Sequence, residues 1–198
     1  ASMTAWMLVR TNNKLSKILF MVFVATMLIP FQTIMMPLMQ VMGWIRTNLH
    51  IPMLESLGGL IYMNVGFGAS MAVFLYHGFI KSIPVSLEEA ATIDGCNKFK
   101  VFWKIVFPML KPTTVTVIIL DVIWIWNDYL LPSLVLSGEK LRTIPLTIPL
   151  STFYFFGQFT IQWNLAMAGL MLTIIPVIIF YLCAQKHIIK GVAAGALK

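Results

Sequence analysis

Four long apolar runs dominate this chain, at residues 18–41, 57–80, 112–136 and 162–184. Each exceeds the roughly 20 residues an α-helix needs to cross the hydrocarbon of a bilayer. In that solvent every backbone N–H and C=O has to be satisfied within its own segment, so the runs predict helices rather than open strands or loops. Residues 1–8, "ASMTAWML", read as the end of a further helix already under way. The expected fold is an all-α integral membrane protein, a polytopic helical bundle with four full spans and a truncated N-terminal one. Pro30 and Pro37 lie inside the first run and predict kinks there, because proline removes a helix donor and crowds the preceding turn. Composition agrees: 11% of the residues are charged, against about 25% in soluble domains.

Charge is distributed by loop. The segments 9–17, 81–111 and 185–198 hold eleven of the fourteen Lys and Arg residues, and the other side holds Arg46, Lys140 and Arg142. Positive residues accumulate on cytoplasmic loops, which places residues 81–111 and the C-terminus in the cytoplasm. The net charge of +7 then records topology, and no nucleic-acid partner is expected. Cys96 and Cys183 fall on that side without metal-ligand spacing, and are expected to be reduced and inert. His50, His77 and His187 read as packing, interface or solvated residues rather than ligands. In the second run Gly58, Gly59, Gly66, Gly68 and Ser70 predict close helix approach, since association in lipid depends on packing.

Between the second and third runs lies an amphipathic island, "EEAATIDGCNKFKVFWKIVFPMLKP", which holds three of the seven acidic residues. Its local chemistry predicts two short helices. Ser86 and Glu89 have the spacing of a capping box, Glu88 and Glu89 suit the positive end of a helix dipole, and Gly95 suits a left-handed stop. A second helix is expected from Asn97 to Phe107, with Phe99, Phe102, Trp103 and Val106 on one face and Pro108 and Pro112 ending it. Asp94 sits at the negative end of the first helix and calls for a compensating Lys or partner. On these grounds alone the island is either an interfacial helix or a docking helix for another subunit.

"EAATIDG", nine residues and then "IVFP" resembles the EAA signature of ABC-importer permeases, which runs Glu-Ala-Ala, three residues, Gly, nine residues, Ile, one residue, Leu-Pro. Glu89, Ala90, Ala91, Gly95, Ile105 and Pro108 match it, and Phe107 stands where Leu is usual. "WNDYLLPSLVL" at 126–136 and "QKHIIKGVAAGALK" at 185–198 resemble the sugar-importer branch, in particular the smaller permease of the maltose type. The resemblance implies one transmembrane permease domain over residues 1–198, with its N-terminal span or spans missing. It implies a cytoplasmic coupling-helix loop at 83–108, where Glu88, Glu89, Ala90, Ala91, Asp94, Gly95, Ile105 and Pro108 serve ATPase coupling. It also implies a cytoplasmic tail at 185–198 that contacts the ATPase dimer. The implied partners are a second permease, two ATPase subunits and an external sugar-binding protein, in a prokaryotic plasma membrane. No G-x-x-x-x-G-K-[ST] phosphate loop occurs, so ATP and Mg are expected on the partner ATPase and no cofactor in this chain.

Asp121, Trp124, Asn127 and Asp128 lie in the third run, where a carboxylate costs roughly 2.5–3.5 kcal/mol unless it faces protein or a wet cavity. Asp121 and Asp128 are seven residues apart and would share a helical face, with Trp124 nearly between them. Two readings stand side by side: a stripe lining a sugar pathway, or a structural site in which Asn127 and Asp128 satisfy a helix break before Pro132. Two alternatives to the sugar permease also remain at this point. One is a permease for amino acids, phosphate or peptides; the other is a lipid-modifying enzyme using Asp121 and Asp128.

Overall fold

The computed structural model describes residues 1–136, Thr143 and the helical stretch 163–196, and every described element is helical. In chain order the elements are α1 (Ser2–Thr11), α2 (Lys14–Leu28), α3 (Phe31–Leu49), α4 (Leu57–Ile80) and α5 (Val85–Ile93). After α5 come α6 (Lys98–Val101), a π-helical turn (Phe102–Val106), α7 (Phe107–Met109), α8 (Lys111–Asn127), α9 (Leu130–Val135) and α10 (Trp163–Ala196). The all-α membrane class is as the apolar runs predict. Among the described residues, only α4 and the Met167–Ala184 part of α10 are long and apolar enough to cross a bilayer alone; α2 with α3, and residues 98–109 with α8, qualify only as bent pairs.

The first run does not kink at Pro30; it stops there. Ile29 is extended (φ −81°, ψ 119°), the conformation that the ring of a following proline imposes, and Pro30 then precedes α3. Pro37 lies inside α3. The expected tail at 185–198 does not begin a separate element, since α10 continues through it to Ala196.

The chain divides into two units. The first is built on Ala1–Ile29 and Gly66–Leu120, joined by the end of α10 from Lys186. Its core contains Ala5, Trp6, Leu8, Val73, Tyr76, Ile80, Ile83, Ala91, Val101, Phe102, Val106 and Leu110. Polar pairs tie its helices together: Thr26 and Ser70 hydroxyls lie 2.7 Å apart, Tyr76 Oη donates to Thr114 Oγ1 at 3.0 Å, and His77 stacks on Phe20 with ring centroids 3.6 Å apart. His77 is thus a packing residue.

The second unit is built on Pro30–Val65 and the described residues from Asp121 to Gln185. Here the α3–α4 loop is a compact fold of its own. Arg46 pairs with Glu55 at 2.8 Å, the Glu55 N–H donates to the Val135 carbonyl at 2.8 Å, and Ser56 Oγ bonds the Pro52 carbonyl. The Ser56 hydroxyl also accepts the Gly59 N–H at 3.0 Å, satisfying one of the orphan donors at the start of α4.

Candidate functional site

The island folds around α5. Arg10 Nη2 donates to the Ile83 carbonyl at 3.0 Å, and Pro84 (φ −59°, ψ 130°) enters the helix. Proline suits this point because it has no N–H to leave unsatisfied. The helix therefore begins at Val85, two residues earlier than a Ser86 cap would place it, and no side chain caps it. Ser86 stands inside the first turn, so the expected Ser86–Glu89 capping box does not form.

Starting the helix there divides its faces. Glu88 and Ala91 are buried, while Glu89, Ala90 and Ile93 are exposed, Ile93 at 86%. The helix ends as Gly95 implies. Gly95 is left-handed (φ +81°), its N–H donates to the Thr92 carbonyl and that of Cys96 to the Ala91 carbonyl, each at 3.0 Å. Those two bonds form a Schellman motif. Asp94 is exposed and joins no ion pair among the described residues. Beside the exposed face, Met7, Thr11, Val85, Glu89, Ile93 and Lys98 border a cleft of about 800 Å³.

Glu88, one of the residues expected to serve ATPase coupling, faces inward. Its Oε2 accepts the Trp6 indole N–H at 2.9 Å, and its Oε1 takes Arg10 Nε at 2.8 Å and Arg10 Nη2 at 2.7 Å. Such charge-assisted bonds are roughly twice as strong as neutral ones, and the buried carboxylate is left with no oxygen unpaired. Trp6 and Arg10 carry no local signal of this role. They lie 82 and 78 residues from Glu88, and an Arg ending an apolar helix reads only as a topological charge.

The second stretch of the island begins as expected, with Asn97 Oδ1 accepting the Lys100 N–H at 2.9 Å. Its faces differ from the expected ones. Val101, Phe102, Val106 and Leu110 are buried, whereas Phe99 and Trp103 are 68% and 54% exposed. A π-helical turn follows at Phe102–Val106, in which the Phe107 N–H reaches back five residues to the Phe102 carbonyl. Widening the turn rotates later side chains away from a 3.6-residue stripe. Ile105 packs partly buried against the core, and Pro108 is exposed.

The intramembrane candidates separate. Asp121 and Trp124 lie on α8, but that helix ends at Asn127, so Asp128 does not share its face. Asn127 Nδ2 donates to the Ile123 carbonyl at 2.7 Å, and Asp128 Oδ1 accepts the Leu131 N–H at 3.3 Å. These bonds satisfy both sides of the helix break. Asp121 Oδ1, Asp128 Oδ2 and, on α4, Asn64 Oδ1 are buried acceptors without a partner among the described residues. Asn64 was silent in the sequence because a single amide in an apolar helix fits ordinary packing.

Residues 1–194 match the family described as binding-protein-dependent transport system inner membrane component. The chain belongs to that family. It is 50% identical over all 198 residues to a probable starch degradation products transport system permease protein of Thermoanaerobacterium thermosulfurigenes, covering 68% of that relative. It is 36% identical over 189 residues, 95% of its length, to a multiple sugar-binding transport system permease protein of Streptococcus mutans, covering 65% of it. Identity is also 36% to a melibiose/raffinose/stachyose import permease protein of Bacillus subtilis, over the whole chain and 68% of the relative. The chain thus spans about two thirds of the length of these relatives. Membership makes it a membrane transport component of the ABC permease class, and the lipid-modifying-enzyme reading falls away.

Proposed function

We propose that this chain is a permease subunit of an ATP-driven, binding-protein-dependent importer of sugars or oligosaccharides. Relatives named as permeases for starch products, multiple sugars and melibiose, raffinose and stachyose support the cargo over amino acids, phosphate or peptides. In this reading the four spans are the bent pair α2–α3, α4, the run 112–136 that holds α8 and α9, and α10. Residues 83–108 form the cytoplasmic coupling loop, and 185–198 is the cytoplasmic tail of one permease domain, residues 1–198. A second permease completes the pathway, two ATPase subunits carry ATP and Mg, and an external sugar-binding protein delivers the cargo at a prokaryotic inner membrane.

One observation carries the coupling role: α5 is fixed by Glu88 and Ala91 and presents Glu89, Ala90 and Ile93 outward. A charge beside an exposed isoleucine, on a helix held from behind, suits docking into a partner that moves. Gly95 sets where the helix stops, while Asp94 adds a second outward carboxylate. Ile105 and Pro108 belong to the platform beneath. Closure of the ATPases would shift α5 and, through it, switch the spans between inward- and outward-facing access.

The unpartnered acceptors Asp121 Oδ1, Asp128 Oδ2 and Asn64 Oδ1 are proposed to accept sugar hydroxyls, and Trp124, on the same helix as Asp121, to offer a stacking surface. Because Glu89 caps nothing, Glu89→Gln tests the presented charge alone. The variant is expected to insert and assemble normally, with uptake and substrate-stimulated ATP hydrolysis reduced on the order of tenfold, the equivalent of one charge-assisted bond. Wild-type uptake and stimulation with Gln at 89 would remove the coupling role of this face.

A further inference from the structure

We infer that Arg10 and Trp6 are positioning residues for coupling: they lock α5 to α1, so that movement of the docking helix passes directly into α1. The inference rests on the reading of α5 as the coupling helix. Three features of the geometry carry it. The Glu88 carboxylate is held at both oxygens by donors from one helix, the Trp6 indole on Oε2 and the Arg10 guanidinium on Oε1, which fixes its orientation as well as its place. Arg10 also holds the Ile83 carbonyl at 3.0 Å, so a single side chain grips α5 at its first turn and just ahead of its start. A helix held at one point can pivot; one held at two in this way resists rotation about the connection from α4.

The surroundings reinforce the lock. Trp6 packs on Phe102 with ring centroids 5.4 Å apart, and Ala5, Trp6 and Leu8 share one apolar core with Ile83, Ala91, Val101 and Phe102. By contrast, the covalent path from α4 to α5 is a short turn through Lys81, Ser82 and Ile83 whose first two residues are exposed. A turn of that kind yields more readily than a buried carboxylate held at both oxygens. The load from α5 therefore enters α1, 78 residues away in sequence, as well as the helices flanking it.

The test uses the assembled transporter and reads sugar moved per ATP hydrolysed, alongside co-purification of all subunits. Trp6→Phe keeps the ring and removes the donor; Arg10→Glu and Glu88→Arg reverse the charges singly and exchange them together. Expected are assembled complexes in which Trp6→Phe and each single reversal lower the transport-to-hydrolysis ratio by roughly 2- to 30-fold, the range of couplings carried by such networks. The charge exchange should restore only the part carried by the ion pair itself and level off near the Trp6→Phe value, since a guanidinium at position 88 cannot accept the indole N–H and a carboxylate at position 10 cannot donate to the Ile83 carbonyl. Assembled variants with the wild-type ratio would overturn the inference. So would a loss confined to yield, with surviving complexes coupling normally, because the trio would then serve only the fold. If the wild-type chain fails to co-purify with an ATPase, it is the permease reading that fails.

Discussion

Gly58 and Gly59 are neighbours at the start of α4, yet they face different worlds. A Cβ on Gly58 or Gly66 would meet nothing within 4 Å, while one on Gly59 would run into the Met53 carbonyl and Cα of the α3–α4 loop. The reading of all these residues as small for close packing holds at Gly59, and there the object packed is a loop backbone rather than another helix. Backbone cannot swing aside like the end of a side chain. Gly59→Ala is therefore expected to cost about 3 kcal/mol, the upper end for overpacking, and to loosen the Arg46–Glu55 loop. Gly66→Ala should be neutral within about 0.5 kcal/mol, as at an open surface position. Comparing thermal midpoints of the two purified variants checks this, and equal midpoints would contradict it.

At the scale of elements, the break between α8 and α9 decides between two roles for Asp128. Its Oδ1 caps the Leu131 N–H, which makes the structural role visible, while its unpartnered Oδ2 leaves the pathway role to be tested. Asp128→Asn retains a carbonyl for the cap. Its complex should assemble at normal yield while sugar uptake falls or preference shifts. Asp128→Ala loses the cap as well, and should lower assembly by the equivalent of about 0.5–2 kcal/mol. Co-purification with uptake of several sugars separates the two, and unaltered uptake by Asp128→Asn would confine Asp128 to capping. What the sequence made legible here follows physical range. Gly95 announced its own φ, Asn97 marked where the second stretch begins, and the apolar run at 57–80 coincides with α4 at both ends. Local chemistry fixes those features. The π-helical turn and the inward aim of Glu88 were not legible, because each is imposed by side chains that the fold brings from elsewhere: a core that buries Phe102 and Val106, and an α1 that offers Trp6 and Arg10.

For the whole molecule, the loop charges predict which chemistry reaches which side. With Cys183 replaced by Ala, an impermeant thiol reagent should label intact cells carrying Cys at exposed Asn48 and leave Cys96 untouched until the cells are opened. Labelling of Cys96 in intact cells would reverse the orientation. The grip of Arg10 on Glu88 also sets a schedule for making the protein. Arg10 leaves the ribosome 78 residues ahead of Glu88, so three helices, α2 to α4, are synthesised before the carboxylate it grips arrives. Closing a loop of that length in a free chain costs about 4 kcal/mol. Prior insertion of the intervening helices would supply much of that closure in advance, by holding their ends near one membrane face. α5 would thus set against α1 only after α2 to α4 are made, so a newly made subunit would acquire the face proposed for docking after the first of its membrane helices and ahead of α8 and α10.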